Sequence, residues 1–414
     1  MDENKKTKWD TTKIVLAITA CVAVLALVGL LVWMVMSGMI TVNIGNKEPE
    51  SQQTNVSYAA TDEEAVEANG NLVATVGDME LTNGQLQVHY WTQIYNFISN
   101  YGSYLSYFGV DFTKPLSEQE CALEEGATWE EFFLEMALDS WSQMATISQM
   151  AEANGFTLTE EQQKTQTEMV KNLEKSAEAY GYKSLTEMVD KEMGKGTTAE
   201  DYITFAKLDY FCSAYVSYMR SKNTPTDAQI EEYYAANEAT IKSAGYGKDA
   251  GKVVDVRHIL IKPDGGVLNS DGRTYTYTDA QWEAARQKAQ VVYDLWLNGE
   301  KTEDSFAELA AKNSADGSAA NGGLYGNVLK GQAVEEFDAW IFEDGRAYGN
   351  HTMIKTVFGY HIMFYVTAED SWIRYCKANY TNDIVSNLVE QFAKNYVLKT
   401  EYDNIAIGQI NLAS

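Results

Sequence analysis

Two histidines stand inside strand-like apolar runs: His258 in Val253–Lys262, VVDVRHILIK, and His361 about a hundred residues later in Thr356–Val366, TVFGYHIMFYV. A Gly-rich stretch between them, Asn313–Gly326, carries Ser314, Asp316 and Ser318. No motif supplies an activated nucleophile or a phosphate cradle. There is no H-E-x-x-H and no G-x-S-x-G, and Gly245–Lys252 lacks the spacing and the final hydroxyl residue of a P-loop. Two lone histidines without a nearby third ligand make a poor metal site, so no metal and no cofactor are expected. Residue types alone are satisfied by a pair of hydrogen-bonded core histidines. The other two histidines stand singly, His89 on a helix face and His351 at an exposed loop or strand start.

The elements that would position His258 and His361 are short and rich in Val, Ile and aromatics, with turn formers at their ends. Lys262-Pro263-Asp264-Gly265-Gly266 closes the first and Ala368-Glu369-Asp370 follows the second. Apolar residues on both sides predict central strands covered on both faces. A short amphipathic helix, Ala333–Phe342, carries Phe337 and Ile341 on one face. Asp264–Thr278 reads as an insertion forming a hairpin around Ser270-Asp271-Gly272. A helix over Thr278–Asn298 turns Trp282, Ala285, Ala289, Val292 and Trp296 inward, and a second covers Ser305–Lys312.

Arg257-His258-Ile259-Leu260, Ser314-Ala315-Asp316, Ser318-Ala319 with Gly322-Gly323, Phe337, and Thr356-Val357-Phe358-Gly359-Tyr360-His361-Ile362 follow one another in an order that resembles the parvulin-type peptidyl-prolyl isomerases. The resemblance covers residues 251–368. It implies a small antiparallel sheet flanked by helices. It places Tyr325, Phe337, Phe358 and Met363 near a bound proline ring, with His258, Asp316, Thr356 and His361 as a hydrogen-bonded polar set beneath. The inserted hairpin would lie beside that pocket. Unaided Xaa-Pro isomerisation crosses a barrier of about 18–20 kcal/mol. Because no bond is broken, a catalyst must favour the twisted amide by holding the ring in an apolar pocket and acting on the amide with polar groups. Two departures from the family pattern would reshape the pocket: Gly322-Gly323-Leu324-Tyr325-Gly326 in place of G-G-D-L-G, and Ala333 where many members carry Met.

The chain has 414 residues, 45% of them hydrophobic, and a formal net charge of −27. Its length predicts two or three domains. So acidic a chain has no broad basic face for nucleic acid. The four cysteines, Cys21, Cys121, Cys212 and Cys376, form no C-x-x-C, and a single Cys212–Cys376 bridge stays open.

Residues 1–13 are polar and hold four lysines; Ile14–Met36 is apolar and uncharged. That run is long enough to cross a hydrocarbon core of about 30 Å, and the lysines place the N-terminus in the cytoplasm. An uncleaved anchor is expected. The alternatives are cleavage near Ser37-Gly38-Met39 and lipidation at Cys21, after Ile18-Thr19-Ala20.

Residues 37–70 read as a flexible spacer. Asn71–Thr82 reads as two strands turning at Gly77-Asp78, and from Gln85 to about Ile241 the pattern is helical. Capping boxes start helices at Thr128, Thr159, Ser184 and Thr226, and a further helix runs from about Thr198 to Ser221. Tyr90, Ile94, Phe97, Tyr101, Tyr104 and Phe108 form one aromatic face, either core or the wall of a client groove. A last helix, Thr381–Val397, presents Ile384, Leu388 and Phe392 and needs a partner face. Val73-Ala74-Thr75-Val76-Gly77-Asp78 with Leu81-Thr82, and Thr226-Asp227 leading to Tyr233-Tyr234, resemble PrsA-type and SurA-like foldases.

The fold class expected is therefore α+β: a transmembrane helix (14–36), a mostly helical SurA-like chaperone domain (71–250, completed by 369–400), a parvulin-like domain (251–368) and a C-terminal tail (401–414). The function expected is an extracytoplasmic, single-pass, membrane-anchored isomerase and foldase acting on unfolded or proline-containing secreted clients. The alternatives are a non-enzymatic holdase with a degenerate parvulin domain and an envelope assembly scaffold.

Overall fold

Threonine with Gln, Glu or Asp three residues on begins most of the longer helices in the computed structural model, which describes residues 57–102, 105–270, 272–410 and 412. The Thr side chain accepts the third helical N–H, and the third side chain returns to the Thr N–H. Two donors that a helix start leaves free are thereby paired. Thr82/Gln85, Thr128/Glu131, Thr159/Gln162, Thr198/Asp201, Thr226/Gln229 and Thr278/Gln281 all do this. The described residues divide into two compact units, one running to Asn223 and resuming at Asp383, the other Thr224–Asn382.

The first unit runs β1 (Ala59–Ala60), α1 (Asp62–Ala68), β2 (Leu72–Val76), β3 (Met79–Thr82), α2 (Asn83–Tyr101), α3 (Leu105–Phe108), α4 (Trp129–Ala153), α5 (Glu160–Ala179), α6 (Leu185–Glu192) and α7 (Ala199–Lys222). A strand at Leu398–Thr400 adds antiparallel to β2, and Ile407–Gly408 pairs parallel with β1. Residues 57–70, read from composition as spacer, thus hold a strand and a capped helix, and the presumed tail beyond 401 supplies a strand. Their polar surface hid buried anchors, Tyr58, Ala65, Ala68 and Ile407. The aromatic face of α2 is core: Phe97 packs on Trp129, Phe133, Tyr101 and Phe108 at 5.2–5.5 Å between ring centroids. Tyr104 lies outside the described residues. His89 lies on α2 as expected and is 2% exposed, with its ring perpendicular to Phe205 at 4.8 Å. On the last helix Val385, Val389 and Phe392 face this core, whereas Leu388, expected inward, is exposed.

The second unit continues with α8 (Asp227–Ser243), β4 (Lys252–Ile261), β5 (Val267–Leu268), β6 (Tyr275–Thr276), α9 (Asp279–Leu297), α10 (Glu303–Asn313), β7 (Leu324–Leu329), α11 (Glu335–Ile341), β8 (His351–Thr356), β9 (Gly359–Asp370) and the start of α12 (Ser371–Ala393). The four-stranded antiparallel sheet has the order β7-β4-β9-β8, so the two histidine strands are central. Thr356–Val366 is not one strand, however. Thr356 ends β8, Val357-Phe358 turns, and Gly359 opens β9, where a Cβ would collide with the Ile261 carbonyl oxygen. β9 then runs on through Ala368-Glu369-Asp370, which had the composition of a turn. Leu324–Gly326, expected as loop, is the start of an edge strand.

Register puts both histidines on one face. His258 faces Met363 across the ladder and Leu260 faces His361, so the two imidazoles are diagonal neighbours. On the opposite face Ile259, Ile261, Ile362 and Phe364 pack on Ala289, Val292, Trp296, Phe306 and Ala310 of α9 and α10. On the histidine face Val254, Val256, Met363 and Tyr365 pack with Val328 and with Phe337, Trp340 and Ile341 of α11.

Among the described residues no helix is long and apolar enough to cross a membrane. The expected span Ile14–Met36, its lysine-bearing flank and Cys21 lie outside them. Cys212 and Cys376 do not pair: Cys121, Cys212 and Cys376 are free and buried, and Cys212 and Cys376 belong to separate cores.

Candidate active site

Four side chains expected to act together do meet, in one continuous line. Asp316 Oδ1 lies 3.3 Å from His258 Nε2, His258 Nδ1 lies 3.1 Å from His361 Nδ1, and His361 Nε2 lies 2.9 Å from Thr356 Oγ1. The Phe358 N–H donates to Thr356 Oγ1 at 3.1 Å. The sheet fixes the two imidazoles, which stack with centroids 5.3 Å apart. The β8–β9 turn brings Thr356 round to His361.

Asp316 arrives on the loop after α10. There the Ser318 N–H and hydroxyl both donate to Asp316 Oδ1, at 2.9 and 2.6 Å, and Ser314 Oγ accepts from the Asp316 and Leu260 N–H groups. Gly322-Gly323 folds the loop back against β4, with φ of 61° and 72°. The His258 N–H donates to the Gly323 carbonyl at 2.8 Å, and a Cβ on Gly323 would strike the His258 carbonyl oxygen, so only glycine fits. Arg257 closes the same loop, donating to the Asn321 and Gly322 carbonyls, both at 3.1 Å, and to Glu303 at 2.9 Å.

Charge and burial give the line a direction. Hydrogen bonds from His258 and then Ser318 hold the Asp316 carboxyl well below the usual range. Burial, helped by the neighbouring His258, pushes His361 down to about 3, so this imidazole is neutral at physiological pH. An ionised Asp316 requires a proton on His258 Nε2. With that proton on Nε2, His258 Nδ1 accepts from His361 Nδ1–H, and the Thr356 hydroxyl donates to His361 Nε2. Every polar atom is then paired, as atoms at 3–4% exposure require.

Aromatic residues cover this line. Phe337 sets its ring edge-on to both imidazoles, 5.3 Å from His258 and 5.5 Å from His361, and Tyr325 stands 5.9 Å from Phe337 and 6.0 Å from His258. Tyr325 and Phe358 keep more than a third of their surface exposed, at 38% and 36%. Met363 is another matter. It is fully buried in the Phe337 cluster and has no surface to offer a ligand, so it is floor rather than contact. Ala333 packs, half-buried, against the same cluster. Among the described residues no group of three or more His, Cys, Asp or Glu stands together as a metal cage. Ser318 was missed as a site residue, although the Asp316-x-Ser318 spacing is that of a side-chain-capped turn. Arg257, a charge inside an apolar strand, was a second available signal.

Residues 241–368 match the family model of the PPIC-type PPIase domain. This segment is of the PPIC type. The match takes in less than a third of the chain. Foldase protein PrsA of Exiguobacterium sibiricum is 48% identical over 59 residues, covering 14% of this chain and 19% of that protein. Foldase protein PrsA of Staphylococcus aureus is 34% identical over 109 residues, covering 26% and 30%. The chain thus spans less than a third of the length of these relatives. Among solved structures, PrsA from Bacillus subtilis aligns over 65% of this chain and 88% of its own, at 19% identity and a TM-score of 0.33.

Proposed function

We propose that the chain is a peptidyl-prolyl cis-trans isomerase and foldase that works outside the cytoplasm on unfolded or proline-containing secreted clients, held at the membrane by residues 14–36. The observation that carries this is the unbroken line Asp316–His258–His361–Thr356 under the Phe337 ring, within a segment of the PPIC type. The proline ring sits against the exposed Tyr325 and Phe358, with Phe337, 3% exposed, closing the pocket behind them. The buried line presents fixed, already paired dipoles to the amide as it twists, at no cost in solvent reorganisation. His258, Asp316, Thr356 and His361 form this polar set. The helical unit holds the client, and 14–36 supplies a cytoplasmic N-terminus with the bulk of the chain outside.

The test is Xaa-Pro exchange in short peptides, followed by NMR with the purified full chain beside His258→Ala and Asp316→Ala, whose folding is checked by circular dichroism. Acceleration that falls in folded variants supports the reading. No acceleration across several residues preceding proline sinks it and leaves a peptide-binding holdase.

A further inference from the structure

The hairpin between β4 and α9 takes no part in the hydrogen-bonded line, yet it is built and its surface is apolar. β5 and β6 pair Val267 with Thr276 and Leu268 with Tyr275. Strands this short are marginal on their own. Side chains fasten them: Asn269 Nδ2 donates to Thr274 Oγ1 at 2.9 Å, Thr276 Oγ1 donates to Asn269 Oδ1 at 2.7 Å, and Gln281 Nε2 donates to the Gly265 carbonyl at 2.9 Å. Gly266 lies directly against the Tyr277 ring. On this fixed ribbon Val267 is 72% exposed, Leu268 51% and Tyr275 44%.

The apolar surface continues toward the candidate site. Tyr275 stacks on Tyr277 at 6.1 Å, Tyr277 meets Trp282 edge-on at 5.4 Å, and Trp282 meets Tyr360 at 5.9 Å, with Lys355 Nζ 4.0 Å over the indole. Tyr360 precedes His361, and the turn beside it exposes Val357 and Phe358. A strip of rings therefore runs from Tyr360, which packs on the α9–α10 face of the sheet two residues from Phe358, to Tyr275 of the hairpin. Exposed apolar surface on a fixed, side-chain-fastened ribbon marks a contact surface more than a packing element.

We propose that the hairpin, with Trp282 and Tyr360, is a second subsite, which holds an apolar or aromatic side chain of the same extended client peptide whose proline occupies the first. The start of the strip at Tyr360, two residues from the exposed Val357-Phe358 turn and paired with the last residue of β4, selects this occupant, and the inference rests on the isomerase reading above. The ring-to-ring steps reach about 17 Å, about five residues of extended peptide. That is the length of the second subsite itself, so an anchor at its Tyr360 end, two residues along the chain from Phe358, lies a few positions from the proline, and one at Tyr275 about five positions further. Contacts so far from the twisting amide act equally on ground and transition states, so they lower KM and leave kcat alone.

The experiment compares two peptides on the full chain by NMR exchange: a minimal one with alanines about its proline, and the same peptide extended by a phenylalanine three to five residues away. Wild type is expected to show a KM about tenfold lower for the extended peptide, the worth of one good aromatic contact, at equal kcat. Val267→Ser combined with Leu268→Ser and Tyr275→Ser erases that preference and keeps turnover of the minimal peptide; Leu268→Asn alone serves should the triple variant misfold. Equal preference in wild type and variant, or none in wild type, overturns the subsite. A variant that only dissociates a dimer, with peptide KM unchanged, also overturns it and assigns the strip to a second copy of the chain. If wild type turns over neither peptide, the isomerase reading fails by itself. Fluorescence titration of a proline-free, phenylalanine-bearing peptide then decides the subsite: binding lost in the triple variant sustains it, and no binding overturns it.

Discussion

Thr356→Val is the sharpest perturbation of the polar line because it removes one hydroxyl and keeps the shape. Thr356 is 3% exposed; its Oγ1 donates to His361 Nε2 and accepts from the Phe358 N–H. The Phe358 amide sits at a turn beside an exposed ring and can turn to water. His361 Nε2 cannot, at 4% exposure. One buried acceptor is orphaned, which costs about 1–3 kcal/mol of stability. If the whole of a central value of about 2 kcal/mol also bears on the transition state, kcat/KM falls by about thirtyfold at most. Thr356→Ser is the control: it keeps the hydroxyl and loses one methyl, about 0.8 kcal/mol of burial. Urea unfolding reads the first number and NMR exchange of a proline peptide the second. A valine variant with wild-type turnover would refute any part for the line in the reaction. Equal losses in valine and serine would assign the effect to packing.

Other perturbations separate the roles of neighbouring groups. Arg257→Met keeps the aliphatic stem but frees the Asn321 and Gly322 carbonyls and Glu303; it should cost about 1–3 kcal/mol and speed hydrogen exchange at Ser318–Gly323. Unchanged exchange there would mean that the glycines alone hold the loop. In the first unit His89 is pushed down to about 3 by burial, and its Nδ1 has no partner among the described residues. Its contribution is fully present above the ordinary imidazole pKa and is lost as pH falls from about 6.5 toward 3, about 1.4 kcal/mol per pH unit. His89→Leu should flatten that slope in urea midpoints and stabilise the protein at pH 7. Asp209, 4% exposed, has the opposite sign: burial lifts its carboxyl to about 7, so its contribution is present below about 3.9 and lost as pH rises to 7. Asp209→Asn should therefore gain on wild type by up to about 4 kcal/mol between pH 4 and pH 8, and parallel midpoints would show that Asp209 is hydrated.

Much of this arrangement was legible because local chemistry dictated it. Thr128, Thr159, Ser184 and Thr226 cap helices where their spacing said they would, and within 264–278 Val267-Leu268 pairs with Tyr275-Thr276 as a hairpin. The histidine strands were visible from composition, whereas the pairing that puts both imidazoles on one face is set by register between strands about a hundred residues apart. What failed was decided by distant contacts. Ala59–Ala60 becomes a strand only because Ile407–Gly408 lies beside it, three hundred and more residues on, and no local pattern announces that pairing. The aromatic periodicity of α2 was right, but only packing against Trp129 and Phe133 could say that it is core rather than groove. Met363 was placed near the proline ring by resemblance alone, and it does share a face with His258. Register fixes a face, not a depth, and α11 covers that position completely.

The unequal cover on the two faces of the sheet explains why a site exists here at all. α9 and α10, of 19 and 11 residues, seal the Ile259–Phe364 face. Among the described residues the helix packed in the histidine-face cluster is α11, seven residues and about 10 Å long, laid on strands β4 and β9 that extend about 33–40 Å. Phe337, Trp340 and Ile341 close the part they reach, which buries His258, His361 and Thr356 to 3–4% exposure. Beyond that cover the surface opens, and the residues at the opening are Tyr325 and Phe358, with Asp316 one third exposed at the free end of the line. Water therefore reaches the line at its carboxylate and not at its imidazoles. A neutral amide laid between Tyr325 and Phe358 meets dipoles already paired and shielded, while the one charge stays solvated at the rim. Such a layout suits a reaction that twists an uncharged bond and transfers nothing.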